Sequence, residues 1–147
     1  LLEPGGVDGP SMEPTLITDE FVLVQKYAYW NASAERFDII QCWYPNERLN
    51  YIKRIVGLPG ETVELRQGAL FINGQELAQP FVVNWRMEDF GPEVIAQGHY
   101  CVMGDNRQNS RDSRDPKVGT IPATEIIGRV RGVAYPFSRI RALTPVP

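Results

Sequence analysis

The sequence predicts a compact, mainly antiparallel β domain with coiled or barrel-like sheets and little helix. Three observations carry that prediction. Apolar residues fall into short alternating or continuous runs rather than a sustained helical period. Gly, Pro and Asn break those runs at short intervals, as turns between strands do. No long amphipathic helix, internal repeat or low-complexity tract is evident. A hydrophobic content of 43% is enough to build a core, and 147 residues fit one domain.

Taken in order, residues 1–6 (Leu-Leu-Glu-Pro-Gly-Gly) have no evident partner. They read as a truncation edge or a vector-derived tail, which leaves residues 7–147 as the domain. Candidate strands follow at Phe21–Gln25, Asp38–Tyr44 and Asn50–Val56, where β-branched and aromatic residues collect. Thr62–Leu65 and Ala69–Ile72 are separated by a turn at Gln67-Gly68. Asn73-Gly74 then offers a tight hairpin turn, because both residues tolerate positive φ. Pro80–Gly98 is less regular, and a small extension is expected around residues 62–98. Tyr100–Met103 and Ile126–Tyr135 complete the candidate strands. Helix is expected only in short pieces, at Ser11–Leu16 or at Pro122–Ile127, where Thr120 is a candidate cap.

The charge balance excludes a dedicated nucleic-acid binder, since the net charge is −3 and the pI about 5.2. Arg129, Arg131, Arg139 and Arg141 alternate as they would on a solvated strand face. No apolar run approaches the roughly 18 residues of a membrane span. There is no CxxC or Cys/His cluster, so no metal is expected, and Cys42 and Cys101 read as free buried thiols.

Ser11 is the first candidate for chemistry. Gly9 and Pro10 before it and Pro14 after it restrict the backbone, and a rigid mount suits a nucleophile. The same surroundings also fit a turn serine. A serine nucleophile needs a base. The one histidine, His99, reads as a strand-end residue with nothing to link it to Ser11. Lys53 offers another base. On a strand, Tyr51, Lys53 and Ile55 share a face, so the amine is a candidate for desolvation as well as for snorkelling to water. To act near neutral pH its pKa must fall by roughly three units. A third segment, Gly104 to Arg114, is dense in small polar and charged residues. In it Asp112 and Arg114 are a candidate pair, Asp105 can reach another arginine, and Ser110 or Ser113 can support a lysine.

These segments together resemble type I signal peptidase. Ser11-Met12-Glu13-Pro14-Thr15 matches that family's Ser-Met-x-Pro-Thr box, and Val7-Asp8-Gly9 resembles its Gram-positive variant. Arg36-Phe37-Asp38 matches an Arg-Gly-Asp-like box, with Phe37 in the place of glycine. Lys53-Arg54-Ile55-Val56-Gly57-Leu58-Pro59-Gly60-Glu61 matches the lysine box, and Gly104 to Arg114 matches the last box at every fixed position. The resemblance implies a mainly β signal-peptidase-type fold and a serine endopeptidase that cuts signal peptides after small residues of Ala-x-Ala type. It implies Ser11 as acylated nucleophile, Lys53 as general base and Ser110 as the group that orients the lysine. Asp105 with Arg54, and Asp112 with Arg114, would be structural ion pairs. The Ser11 N–H would donate to the oxyanion. Some family members place a second donor, a serine hydroxyl, where this chain has Gly9. Met12, Leu16, Tyr51 and Ile52 would form the shallow substrate pockets. No cofactor is implied. The partners would be preprotein signal peptides and the lipid surface, with no nucleic acid, and the oligomeric state stays open. The full-length protein would be membrane-anchored, with its catalytic domain on the extracytoplasmic side.

Two alternatives share some of these features. One is a self-cleaving repressor-type Ser/Lys protease, although no helix-turn-helix candidate is present. The other is a non-catalytic β domain that binds peptides or membranes. Tyr27-Ala28-Tyr29-Trp30, Trp43 and Trp85 read either as ordinary packing or as an apolar patch at a lipid interface.

Overall fold

The computed structural model describes residues 1–146, and its regular structure is almost all strand. Pro147, the last residue of the expected domain, lies outside the described residues. In chain order the strands are β1 (Leu2–Gly6), β2 (Phe21–Lys26), β3 (Ile39–Trp43), β4 (Asn50–Gly57), β5 (Thr62–Arg66) and β6 (Ala69–Ile72). They continue with β7 (Gln75–Leu77), β8 (Phe90–Val94), β9 (His99–Met103), β10 (Ile121–Pro122), β11 (Ile126–Tyr135) and β12 (Arg141–Ala142). Among the described residues, no helix is long and apolar enough to cross a membrane.

The large sheet runs β1-β2-β11-β3-β4-β9-β10, with β12 also paired to β11. Its neighbours are antiparallel, as the mainly β reading expected. Long β11 breaks register against β2 and β3, and such irregularities bend a strand enough to coil the sheet. The small sheet runs β7-β6-β5-β8. It falls within the extension expected around residues 62–98. Both hairpin turns form as anticipated, with positive φ at Gln67, Gly68, Asn73 and Gly74.

Strand alternation sends side chains to both faces of the large sheet. Ile40, Cys42, Ile55 and Val102 enter one buried cluster. Ile39 turns the other way and joins Val7, Met12, Leu16, Val22 and Val24. Val56, Cys101 and Met103 meet Val63, Leu65 and Leu70 of the small sheet in a third cluster. The sheets approach closely at Gly57. A Cβ there would overlap Val63 and lie 3.0 Å from the Cβ of Cys101. Both cysteines are buried and free.

Four expectations need correction. Residues 1–6 do have a partner: Leu2–Gly6 pairs with β2 over five residues. Pro4 and the two glycines lower its strand propensity, but at a sheet edge a residue without an N–H is tolerated. Ser11–Leu16 forms successive turns rather than helix, because Pro14 disfavours helical geometry at Glu13. Pro122–Ile127 holds a single 3-10 turn at Ala123–Glu125 before β11 begins. That turn has no side-chain cap, so Thr120 does not serve as one. The late arginines are not all on a solvated face. Arg139 and Arg141 both bind the fully buried Glu20, at 3.1 and 2.9 Å, and Arg129 lies 3.6 Å from Asp38.

Candidate active site

Ser11 sits in the turns between β1 and β2, and three sets of contacts hold that loop. From below, Met12 and Leu16 bury in the core. From the side, the Asn106 N–H donates to the Ser11 carbonyl (2.9 Å) and the Asn106 amide to the Pro10 carbonyl (3.0 Å). The Thr15 hydroxyl donates to Asp105 Oδ2 (2.5 Å). At its exit, Arg141 donates to the Thr15 carbonyl (2.8 Å). Gly104 lies where the loop meets the last box. A Cβ there would overlap Ser110 Oγ and stand 2.5 Å from the Ser11 carbonyl oxygen. Glycine at 104 is therefore what lets the serine loop and Ser110 approach each other.

Lys53 occupies a central position on β4 and is only 2% exposed. Its Nζ donates to Ser110 Oγ at 3.1 Å. The Ser110 hydroxyl donates in turn to Asp112 Oδ2 (2.6 Å). Since its one proton is committed there, Ser110 Oγ can only accept from Lys53 and from the Gly104 N–H (3.2 Å). The lysine thus spends an N–H on Ser110, and the lone pair of its neutral form stays free. Burial pulls the Lys53 pKa down to about 8, against the opposing charge of Asp112. Burial would raise the Asp112 pKa. Its bonds to Arg114, Ser110 and the Gly104 N–H outweigh that and hold it below the usual carboxylate range. Ser113 plays a different part from Ser110: its Oγ accepts the Val102 N–H (2.9 Å).

Both expected ion pairs are present. Arg54 binds Asp105 through two parallel bonds of 2.8 and 2.7 Å, with the side chains 5% and 0% exposed. Arg54 also donates to the Phe37 carbonyl (2.9 Å) and lies 4.1 Å from the Phe81 ring centre. Phe37 has φ of 69°, the left-handed region that glycine adopts without strain. Its ring packs edge-on against Phe81 with ring centres 4.9 Å apart. Arg114 binds Asp112 at 2.8 Å and Glu88 at 2.7 Å.

A groove of about 320 Å³ passes beside the serine, between Gly6–Gly9, Ser11 and Met12 on one wall and Arg48–Ile52 on the other. Met12, Tyr51 and Ile52 therefore lie where the sequence expected. Leu16 does not: it is fully buried and does not line the groove. Gly9 borders the groove, but its N–H is bonded to Thr18 Oγ1 at 2.9 Å. Among the described residues the N–H and hydroxyl of Ser11 have no hydrogen-bond partner in the protein, so both remain available in the groove. His99 is bonded to the Gln97 carbonyl and does not line the groove. Among the described residues no cluster of His, Cys, Asp and Glu could hold a metal ion.

Sequence reading assigned no roles to Thr15, Asn106 or Glu88. The first two stand inside the quoted boxes, so their positions were a signal. Glu88 stands in the irregular stretch before β8, and nothing local points to it.

Residues 1–135 match the family described as signal peptidase, peptidase S26. Signal peptidase I of Bacillus amyloliquefaciens is 39% identical over 151 residues, covering 96% of this chain and 78% of that protein. Signal peptidase I T of Bacillus subtilis (strain 168) is 38% identical with the same coverage. The crystal structure of a signal peptidase I from Enterococcus faecalis V583 superposes with a TM-score of 0.58 at 33% identity. It covers 66% of this chain and 96% of that one.

Proposed function

This chain belongs to the signal peptidase family, peptidase S26, and on that premise we propose that Ser11 is its acylated nucleophile and Lys53 the general base. The family makes it a serine endopeptidase that cleaves signal peptides. One observation carries the assignment of the dyad. Lys53 is buried and held by a hydroxyl that cannot donate to it, so its neutral amine keeps a lone pair for the Ser11 proton.

An extended substrate segment occupies the groove beside Ser11, making main-chain hydrogen bonds with its walls. Met12, Tyr51 and Ile52 leave room there for small side chains, consistent with Ala-x-Ala recognition. Neutral Lys53 takes the Ser11 hydroxyl proton as the oxygen attacks the carbonyl carbon before the scissile bond. The Ser11 N–H donates to the oxyanion. As the C–N bond breaks, Lys53 returns the proton to the departing amine. Water then gives a proton to Lys53 and attacks the ester. The carboxylate leaves and Ser11 recovers its proton.

The lipid surface is the second partner. Phe21, Tyr135 and Phe137 form an exposed aromatic chain with ring centres 6.0 and 5.6 Å apart. Phe21 lies against Gly6, which borders the groove. Rings in this position would rest at a membrane interface and bring the groove to the point where a signal peptide leaves it. The patch supports a membrane-associated enzyme.

The dyad is tested with Ser11→Ala and Lys53→Ala against an Ala-x-Ala peptide. Both variants should fold and lose turnover by about 10²–10⁴-fold or more. Near-native turnover by Lys53→Ala would overturn the assignment.

A further inference from the structure

Tyr51, which lines the groove, joins a charged cluster that takes no part in the steps above. Glu47, in the loop between β3 and β4, accepts from Arg111 Nη2 at 2.7 and 3.0 Å and from the Tyr51 hydroxyl at 2.7 Å. Arg111 Nη2 also donates to the Tyr51 hydroxyl at 3.0 Å. The three groups form a closed triangle. The Arg111 guanidinium lies 5.4 and 5.6 Å from the ring centres of Tyr44 and Tyr51, which stack at 3.9 Å. The Tyr44 hydroxyl donates to the Arg111 carbonyl (2.6 Å), which ties the backbone of Arg111 to the core.

Arg111 stands between Ser110 and Asp112, so its position is set by the network that holds Lys53. Tyr51 is partly exposed. It lines the groove, and the Lys53 Nζ lies 5.9 Å from its ring centre. A ring on that face, if free to rotate, would widen the groove and admit water toward the amine. The triangle removes that freedom by holding the hydroxyl from two sides.

We infer that Glu47 and Arg111 are positioning residues for the cleavage reaction, pinning the Tyr51 ring as the groove wall beside Lys53 and so determining which side chains the groove admits. The inference rests on the dyad acting on a peptide in this groove. The Tyr51 hydroxyl first, and then Arg111, hold Glu47 below the usual carboxylate range, so the triangle stays charged near neutral pH. The charged or titratable groups that act most on Lys53 are Asp112, Cys42, Arg114 and Arg111. Glu47→Gln leaves all four in place. A rise in the lysine's titration in that variant therefore reports the loss of the triangle, through water reaching the amine or Arg111 moving away from it.

The experiment measures kcat and KM for wild type, Glu47→Gln and the charge-swapped Glu47→Arg/Arg111→Glu. The substrates are paired peptides with Ala or Leu before the cut, assayed across pH, with thermal melts as a check on folding. In Glu47→Gln the preference for Ala over Leu should fall by about threefold or more. The ascending limb of kcat/KM should also move to higher pH, because a wetter amine holds its proton longer. The swapped pair should recover the preference, whereas its limb stays at higher pH because Arg111→Glu puts a negative charge where Arg111 lowers the Lys53 pKa. An unchanged preference and an unmoved limb in Glu47→Gln, beside an active wild type, would overturn the inference. So would a swapped pair whose Ala-over-Leu preference is no better than that of the single variant. A wild type that cleaves neither peptide would instead fail the dyad reading, and the positioning role with it.

Discussion

At the scale of single residues, Lys53 carries a measurable cost. Burial lowers its pKa from 10.5 to about 8, so the folded state binds fewer protons than the unfolded chain between those values. Stability contributed by this group therefore rises with pH across that window. Below it the charged amine destabilises the fold by roughly 3 kcal/mol. Lys53→Met keeps the length and removes the charge. We expect it to be inactive yet more stable than wild type by roughly 1–3 kcal/mol at pH 7, an advantage that fades by about pH 10.5. Urea unfolding at several pH values checks this, and a less stable Met variant at pH 7 would contradict it. The sequence made Lys53 legible as a candidate through its strand neighbours and its box. Composition alone left Ser110 and Ser113 open as the amine's partner, and the matched box pointed to Ser110. What the sequence did not show is that the Ser110 proton goes to Asp112, which depends on where the loop after β9 places each oxygen.

At the scale of elements, the Arg54–Asp105 pair joins β4 to the segment after β9, and Thr15 joins the serine loop to the same carboxylate. Asp105→Ala would leave a buried guanidinium without its counter-charge. We expect a loss of about 3–5 kcal/mol in unfolding free energy, accompanied by slower cleavage as the Ser11 loop loosens. A denaturation midpoint close to wild type would show that the pair does not brace the site. Strand prediction at this scale succeeded where local signals were strong. Asn73-Gly74 and Gln67-Gly68 specify hairpins through positive φ, and β11 is a long β-branched run. It missed β1, β7, β8, β10 and β12. Those strands are short or contain Pro and Gly, and partners distant in sequence, not propensity, hold β1, β8 and β10 in place.

At the scale of the molecule, two surfaces are set on one frame: a groove beside Ser11 and the aromatic chain of Phe21, Tyr135 and Phe137. Phe137 is 78% exposed and Tyr135 50%, so altering them should leave the core intact. Phe137→Asp with Tyr135→Ser should weaken binding to anionic phospholipid vesicles by about tenfold or more. Cleavage of a soluble peptide should be unchanged while cleavage of a vesicle-embedded preprotein falls. Equal vesicle binding by the double variant would remove this patch from the membrane contact. The sequence by itself determined the β class, the main strands and the ordered boxes that name the family, because turn chemistry, alternation and short motifs are local. Only the tertiary structure decided that Leu2–Gly6 form an edge strand. It also turned Leu16 into the core, committed the Ser110 proton to Asp112, and joined Glu47 and Arg111 at the Tyr51 hydroxyl. All of those outcomes but the Ser110–Asp112 bond depend on residues far apart in the chain meeting in space, and no local pattern encodes such a meeting.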